Sequence, residues 1–476
     1  LKKAIIISLE SPHLVYSNQL PPWIMKRMLT FPSSSFLIAS CISFWGRNEI
    51  MSAKLFCLDE AVRRESYRSG FSEPDRLIEK LLTEEMKAEY DLACIVAPCT
   101  MMANRARFAA DLIKKISPKT CVITGGPHAS FTAEQMIQAP DSPFDAVIMG
   151  PGESKIKHIV CNFNRPEQRF NHPGICSRNN CRGFSPEALH NDCEIPELDF
   201  SLLSYKELGY SYAGVLAGRG CPNRCRYCID GSYWSKAQIP YFNSALRVRK
   251  EIQKFNEISI PVRGLLDSQF DMNSPHFHGF CETALGNLPK INNFSICAHA
   301  HSITRAGCQI FRSCGGGCVM VGIESASADL LKKMGTGKPP LDHIKNTLAM
   351  IKEEGLKTLG FFLFGYPGEN KKSAADTLNL IKELCQEGLL DLVEPFVFAP
   401  YPGLPHYEKP QKFGIHPRPT KWNNWDNWDR YSPPPYDLEN MSSELIYDFW
   451  QQSVNYVEDF FKHHNPLFTT ESKHKV

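Results

Sequence analysis

The stretch GRGCPNRCRYC, residues 218–228, holds three cysteines at C-x3-C-x2-C spacing: Cys221, Cys225 and Cys228. Thiolates this close together suit zinc or an iron–sulfur cluster. A structural zinc site takes four ligands, and no cysteine or histidine occurs between Cys228 and His276, so a fourth would have to come from elsewhere in the fold. An iron–sulfur cube normally takes four thiolates. Three leave one iron without a protein ligand, and that iron can bind a substrate. On this reading the missing ligand is the functional feature.

The elements around this loop follow from apolar runs. AIIISL (4–9), AKLFCL (53–58), LACIVA (92–97), CVITGG (121–126) and AVIMG (146–150) read as strands. Helical patterns lie between them, as in NRARFAADLIKKI, where Phe108, Leu112 and Ile116 recur at helical spacing. The alternation predicts an α/β fold whose first domain, 1–165, is a Rossmann-like parallel sheet with helices on its faces. The glycine-rich loops GGPHAS and GPGES close its strands at the edge where open α/β sheets bind ligands. Residues 166–205 are polar and proline-containing, and read as a linker.

From 206 to 400 the alternation resumes. AGVLAG (213–218), VRGLLD (262–267), FSICAHA (294–300), CVMVGIE (318–324), TLGFFLFG (358–365) and DLVEPFVF (391–398) are six strand candidates, which predicts a partial (β/α)6 barrel with its chemistry at the strand C-terminal ends. The helix LDHIKNTLAMIKEEG should bury Ile344, Leu348 and Ile351 and stop at Gly355. The cysteine loop directly follows the first of these strands. Residues 401–476 form an appended region ending in a helix, LIYDFWQQSVNYVEDFFKHH. Its Trp422, Trp425 and Trp428 read as packing residues, with a substrate wall as the alternative.

Bulk properties narrow the function. The 476 residues carry 53 basic and 51 acidic side chains for a net charge of +2, which argues against a nucleic-acid partner. No segment reaches the roughly 18 apolar residues of a membrane span, and the opening LKKAIIISL lacks the features of a secretory signal. A cytoplasmic protein is expected, with most of its 18 cysteines reduced and Cys94 and Cys121 serving as small buried apolar residues.

The run GRGCPNRCRYC, with Tyr227 before its last cysteine, resembles the cluster motif of radical S-adenosylmethionine (SAM) enzymes. LLDSQFDMN (265–273), VGIESAS (321–327), FFLFGYPGEN (361–370) and APYPGLPHY (399–407) follow in the family's order. With TGGPHAS (124–130) and EIPELD (194–199), the chain resembles the subgroup carrying an N-terminal cobalamin-binding domain, the class B radical SAM methyltransferases. The resemblance implies a [4Fe-4S] cluster on the three cysteines, SAM on the open iron, cobalamin in the first domain, and an external electron donor of the flavodoxin or ferredoxin type.

For SAM it implies Tyr227, Asp267, Gly322, Glu324, Ser325 and Gly365. A carboxylate and a hydroxyl after a barrel strand can bind ribose hydroxyls or an ammonium group, and glycine admits close backbone approach. An internal Glu324 paired to a nearby base, and Gly365 as a turn residue, are the competing readings. Arg219 is read either as packing near the cluster or as an ion-pair partner. For cobalamin the resemblance implies Thr124, Gly125, Gly126, Pro127, His128, Gly150, Gly152 and Glu153. A nucleotide-binding sheet without cobalamin is the alternative. The D-x-H-x-x-G motif that supplies a cobalt ligand in many cobalamin proteins is absent, so the loop PCTMMAN (98–104), with Met101 or Met102, would face the corrin. GPGE replaces the family's GEGE.

The activity this implies is C-methylation of a small metabolite or biosynthetic intermediate, with methylcobalamin as methyl donor. No catalytic acid or base is identified. The rivals are a cobalamin-dependent cyclase or ring-rearrangement enzyme, and a non-catalytic metal-stabilised binding protein.

Overall fold

A computed structural model describes residues 1–9, 33–47, 51–69, 74–97, 99–181, 195–203, 212–233, 241–288, 293–418 and 432–464. Five parallel strands, β1 (Lys2–Ser8), β2 (Met51–Cys57), β3 (Leu92–Val96), β4 (Cys121–Gly125) and β5 (Ala146–Ile148), build the first sheet in the order β2-β1-β3-β4-β5. Ile5, Ile6 and Ile7 are fully buried, as expected of a strand covered on both faces. A short strand β6 (Ile175–Cys176) adds antiparallel to β5, so the sheet extends past residue 165 into the stretch expected to be linker. Its Cys176 is joined to Cys181 by a disulfide; Cys94 and Cys121 are free and buried.

The helix Ala103–Ile116 forms where the pattern places it but presents a different face. Ala106, Ala109, Ala110 and Ile113 are buried with Leu112, whereas Phe108 is half-buried and Ile116 is 36% exposed. Small alanines let the helix axis approach the sheet closely, which turns the larger residues outward.

The second sheet joins β7 (Ala213–Val215), β10 (Val262–Leu265), β11 (Phe294–Ala298), β12 (Gly316–Glu324), β13 (Lys357–Phe364) and β14 (Leu392–Val397), all parallel and in chain order. This is the expected six-stranded partial barrel. Between β7 and β10 a ribbon of β8 (Gly218–Arg219) and β9 (Tyr241–Phe242) diverts the chain, so the first barrel strand stops three residues before Gly218. The helix Leu341–Glu353 buries Ile344, Leu348 and Ile351 and ends at Gly355, whose φ of +74° suits a residue without a Cβ.

Phe36, on the helix Ser33–Gly46, belongs to the barrel's core and meets Phe200 and Phe255 edge-on at 5.3 and 6.5 Å. The two domains therefore share apolar packing. Beyond β14, the antiparallel pair β15 (Ile415–Pro417) and β16 (Tyr436–Leu438) leads to the helix Ser443–His464, whose Trp450 indole donates to the Pro395 carbonyl at 2.9 Å. Trp422, Trp425 and Trp428 lie outside the described residues. No helix among the described residues is long and apolar enough to cross a membrane.

Candidate functional site

The cysteine loop starts where β7 ends. Ala217 N–H donates to Asp267 Oδ2 at 2.9 Å, and Gly220, at φ +87°, turns the chain outward from the barrel rim. Cys221, Cys225 and Cys228 are all half-buried on this loop. Two backbone bonds fix it: Cys228 N–H to the Cys225 carbonyl at 3.1 Å, and Arg226 N–H to the Met334 carbonyl at 2.8 Å, at the end of the helix Ala328–Met334. The Cys221 thiol reaches Gln269 Oε1 at 3.7 Å, and the Asn223 amide donates to the same oxygen. Burial pushes all three thiols above the ordinary cysteine range, Cys228 to about 12. Metal capture here therefore displaces protons.

Among the described residues no group of three or more His, Cys, Asp or Glu side chains is placed to hold one metal ion.

Across from the loop, at the end of β12, Glu324 adopts φ +66°. A left-handed conformation costs a non-glycine residue about 1–2 kcal/mol and needs fixed partners. Tyr227 supplies one, donating its hydroxyl to Glu324 Oε1 at 2.8 Å; Lys338 Nζ donates to the same oxygen at 2.6 Å. The carboxylate and ammonium are 8% and 3% exposed. Gly322 makes room for them, because a Cβ there would collide with both charged ends. Glu324 is thus paired to a base, as the competing reading held, yet the pair lies against the cysteine loop. Lys338 is a site residue that sequence reasoning missed. Its loop is tethered by His299 and His301, whose Nε2 atoms bond the carbonyls of Thr336 and Gly337 at 3.0 and 2.7 Å.

Three expected SAM contacts serve the scaffold in this arrangement. Ser325 is fully buried; its hydroxyl meets Thr377 Oγ1 at 3.1 Å and accepts from Ser327 N–H at 3.1 Å. Gly365, at φ +78°, is a turn residue: its carbonyl accepts from Tyr436 at 3.0 Å and its N–H donates to buried Glu369. Asp267 is engaged by the Ala217 backbone through Oδ2 while Oδ1 has no hydrogen-bond partner among the described residues, and burial lifts its carboxyl to about 7.

The first domain meets this rim across a cavity of about 530 Å³. Thr124, Gly125, Gly126 and Pro127 border it after β4, and Gly150, Gly152 and Glu153 after β5; Gly218, Arg219, Gly220, Asp230, Tyr233 and Ser268 border it from the barrel. Cys94, Ile148 and Ile156 make its apolar floor. Gly126 and Gly150 have φ of +127° and +75°, and a Cβ on Gly152 would come within 3.0 Å of Ile38. Glu153 is 3% exposed and forms an ion pair with Arg219, which resolves Arg219 as a salt-bridge residue; the second oxygen, Oε2, has no hydrogen-bond partner among the described residues. The Thr124 hydroxyl is committed to the Ile95 carbonyl at 2.9 Å.

Two expected cobalamin contacts stand apart from the cavity. His128 turns to Thr100, with Nδ1 3.1 Å from its hydroxyl, and burial lowers its ring to about 4. Met102 is wholly buried in the core with Ala97 and Ala106. The Met101 side chain lies outside the described residues.

The residues present fit the implied groups. Three half-buried thiols on one loop, with a buried carboxylate–ammonium pair beside them, match a cluster that binds an amino acid at its open iron. Strand-end glycines and a buried carboxylate oxygen without a hydrogen-bond partner among the described residues border a cavity suited to an amide-rich, bulky cofactor.

Comparison with known proteins gives the same division. The model of the B12 binding domain matches residues 48–160 and that of the Radical SAM superfamily residues 215–381. An uncharacterized methyltransferase of Pyrococcus horikoshii is 28% identical over 333 residues, covering 67% of this chain and 68% of the relative. An anaerobic magnesium-protoporphyrin IX monomethyl ester cyclase of Cereibacter sphaeroides is 22% identical over 350 residues, 70% of this chain but 55% of its own length. In fold, the chain is similar to the radical SAM methyltransferase TsrM from Kitasatospora setae, solved with cobalamin and a [4Fe-4S] cluster (TM-score 0.62, 13% identity, 88% of this chain and 77% of that one). The cobalamin-dependent SAM radical enzyme OxsB is also similar (TM-score 0.60, 16% identity, 87% and 56%).

Proposed function

Because the chain belongs to the cobalamin-binding radical SAM enzymes, we propose that it methylates a carbon of a small-molecule substrate inside the cavity between its two domains. The observation that carries this reading is that the strand-end glycines of the B12-binding domain and the rim of the cysteine loop border one continuous cavity. A methyl group and a substrate radical can meet only where both cofactors reach the same space.

Cys221, Cys225 and Cys228 would hold the cluster. Glu324 and Lys338, an adjacent anion and cation, would face the ammonium and carboxylate of SAM. Gly126, Gly150, Gly152 and Glu153 would hold cobalamin. Bound there, the cluster and SAM supply a hydrogen-abstracting radical, and cobalamin supplies the methyl group. The chain's own part is positioning. Tyr227 ties the cluster loop to Glu324, and the Arg219–Glu153 pair ties that loop to the first domain. Cys94, Ile148 and Ile156 would present an apolar wall to the reacting carbon.

A second reading, cyclisation, is favoured by the relatedness to the monomethyl ester cyclase. Incubation of reconstituted protein with reductant, methyl-labelled SAM and candidate acceptors separates the two. Methylation carries the label into a product heavier by one methylene unit; cyclisation leaves the product unlabelled.

A further inference from the structure

Lys338 reaches Glu324 from the end of a turn that has little stiffness of its own. Gly335 and Gly337 bracket Thr336 with φ of +66° and +60°, and glycine gives up more conformational freedom than any other residue to hold one shape. The Lys338 ammonium at the end of this turn is 3% exposed. Holding it in one place against Glu324 calls for anchors from outside the turn.

His299, directly after β11, supplies one. Its Nε2 lies 3.0 Å from the Thr336 carbonyl, two residues before Lys338, and its Nδ1 lies 3.4 Å from the His301 backbone nitrogen. A carbonyl only accepts, so Nε2 carries the hydrogen; a backbone N–H only donates, so Nδ1 is bare. The neutral ring with its hydrogen on Nε2 meets both demands at once. Burial, with the Lys338 charge adding to it, lowers the ring's pKa and favours that neutral form. The His301 ring stacks on His299 with centroids 5.4 Å apart and binds the Gly337 carbonyl in the same way. On the turn's other side the Arg226 side chain lies over Gly335. Contacts thus run from His299 through Thr336 to Lys338, Glu324 and Tyr227 of the cysteine loop.

We propose that His299 is a positioning residue for SAM: by holding the Thr336 carbonyl it sets the Lys338 ammonium where the carboxylate of SAM arrives. The inference rests on the reading of Glu324 and Lys338 as the pair that receives SAM. His299 acts through Lys338 and not by contact with the cofactor. Its Nδ1 also caps the short helical turn Ala300–Ser302, a purely local role. The two roles use different ring nitrogens, so substitution can separate them.

His299→Asn places an amide near the position of Nδ1, so it keeps the local cap but is too short to reach Thr336. His299→Gln places its amide N–H near the position of Nε2 and keeps the Thr336 bond. With the reconstituted full chain, equilibrium dialysis against labelled SAM should show binding about threefold to tenfold weaker in the Asn variant, the range for one lost hydrogen bond, and within about twofold of wild type in the Gln variant. Iron and sulfide content should match wild type in both. In a Lys338→Met background His299→Asn should add no further loss, because the group it positions is gone. Wild-type affinity in the Asn variant, equal losses in the Asn and Gln variants, loss of iron along with SAM, or the same added loss in the Lys338→Met background overturns the positioning role. Wild-type SAM affinity in Lys338→Met itself overturns instead the reading of the pair as the SAM site.

Discussion

The Arg219 guanidinium, two residues before Cys221, forms a buried ion pair with Glu153 of the B12-binding domain; the two side chains are 10% and 3% exposed. Burial alone would raise the Glu153 carboxyl, but the neighbouring Arg219 outweighs it and holds it below the ordinary range. The same pairing lifts Arg219 against its own burial. Removing one partner strands the other charge, a loss of about 3–5 kcal/mol in buried pairs. Arg219→Met should therefore lower the thermal midpoint clearly in calorimetry. Arg219→Met combined with Glu153→Leu should recover most of it. A single variant as stable as the wild type would mean that the pair does not join the domains.

A pH dependence follows from Glu369, which burial raises to about 8 against the Gly365 N–H that favours its ionised form. Its ordinary value is 4.5, so between about 4.5 and 8 the folded chain binds the proton that the unfolded chain has released. Stability from this group thus declines as pH rises through that window, at about 1.4 kcal/mol per unit, and levels off above it. Glu369→Gln keeps an acceptor for Gly365 without a charge. The variant should gain stability relative to wild type at pH 8.5 but not at pH 4.5, as read from denaturant midpoints. An equal difference at both pH values would contradict this assignment.

The Tyr227–Glu324–Lys338 cluster gives a binding prediction. Lys338→Met and Glu324→Gln should each weaken SAM binding about tenfold to a hundredfold, the range for losing a charge-assisted hydrogen bond. Iron and sulfide content should stay at the wild-type level, since neither residue is a cluster ligand. Equilibrium dialysis against labelled SAM, with iron analysis of the same samples, measures both. Loss of iron along with SAM would make the pair a support for the loop rather than a ligand site.

At the proposed cobalamin site, Gly126→Val meets a φ of +127° and Gly152→Val fills the gap beside Ile38. Both should reduce the cobalamin retained after gel filtration, read from its visible absorption, with iron content unaffected. Full retention in both variants would place the corrinoid elsewhere.

What the sequence disclosed was mostly local. Cys221, Cys225 and Cys228 are read from spacing because one loop carries all three, and the strands are read from short apolar runs such as Ile5–Ile7. Long-range partnerships were hidden. Ser325 looks free until Thr377, 52 residues on, takes its hydroxyl. Lys338 sits in an ordinary GTGK turn and gains its role only by folding back 14 residues onto Glu324. Met102 is expected to face the corrin from its place in the PCTMMAN loop, but its side chain turns into the core. The two residues of β6 carry too little pattern to be distinguished from linker; pairing with Val147 and Ile148 makes them a strand.

Methylation by this chain is read from the ratio of coproducts to product in a single reaction mixture. Methyl transfer that follows hydrogen abstraction uses two SAM molecules, one as oxidant and one as methyl source. Each methylated product should then be accompanied by about one 5'-deoxyadenosine and about one S-adenosylhomocysteine. Product formed with deoxyadenosine alone, and no heavier by a methylene unit, would contradict methylation by this chain.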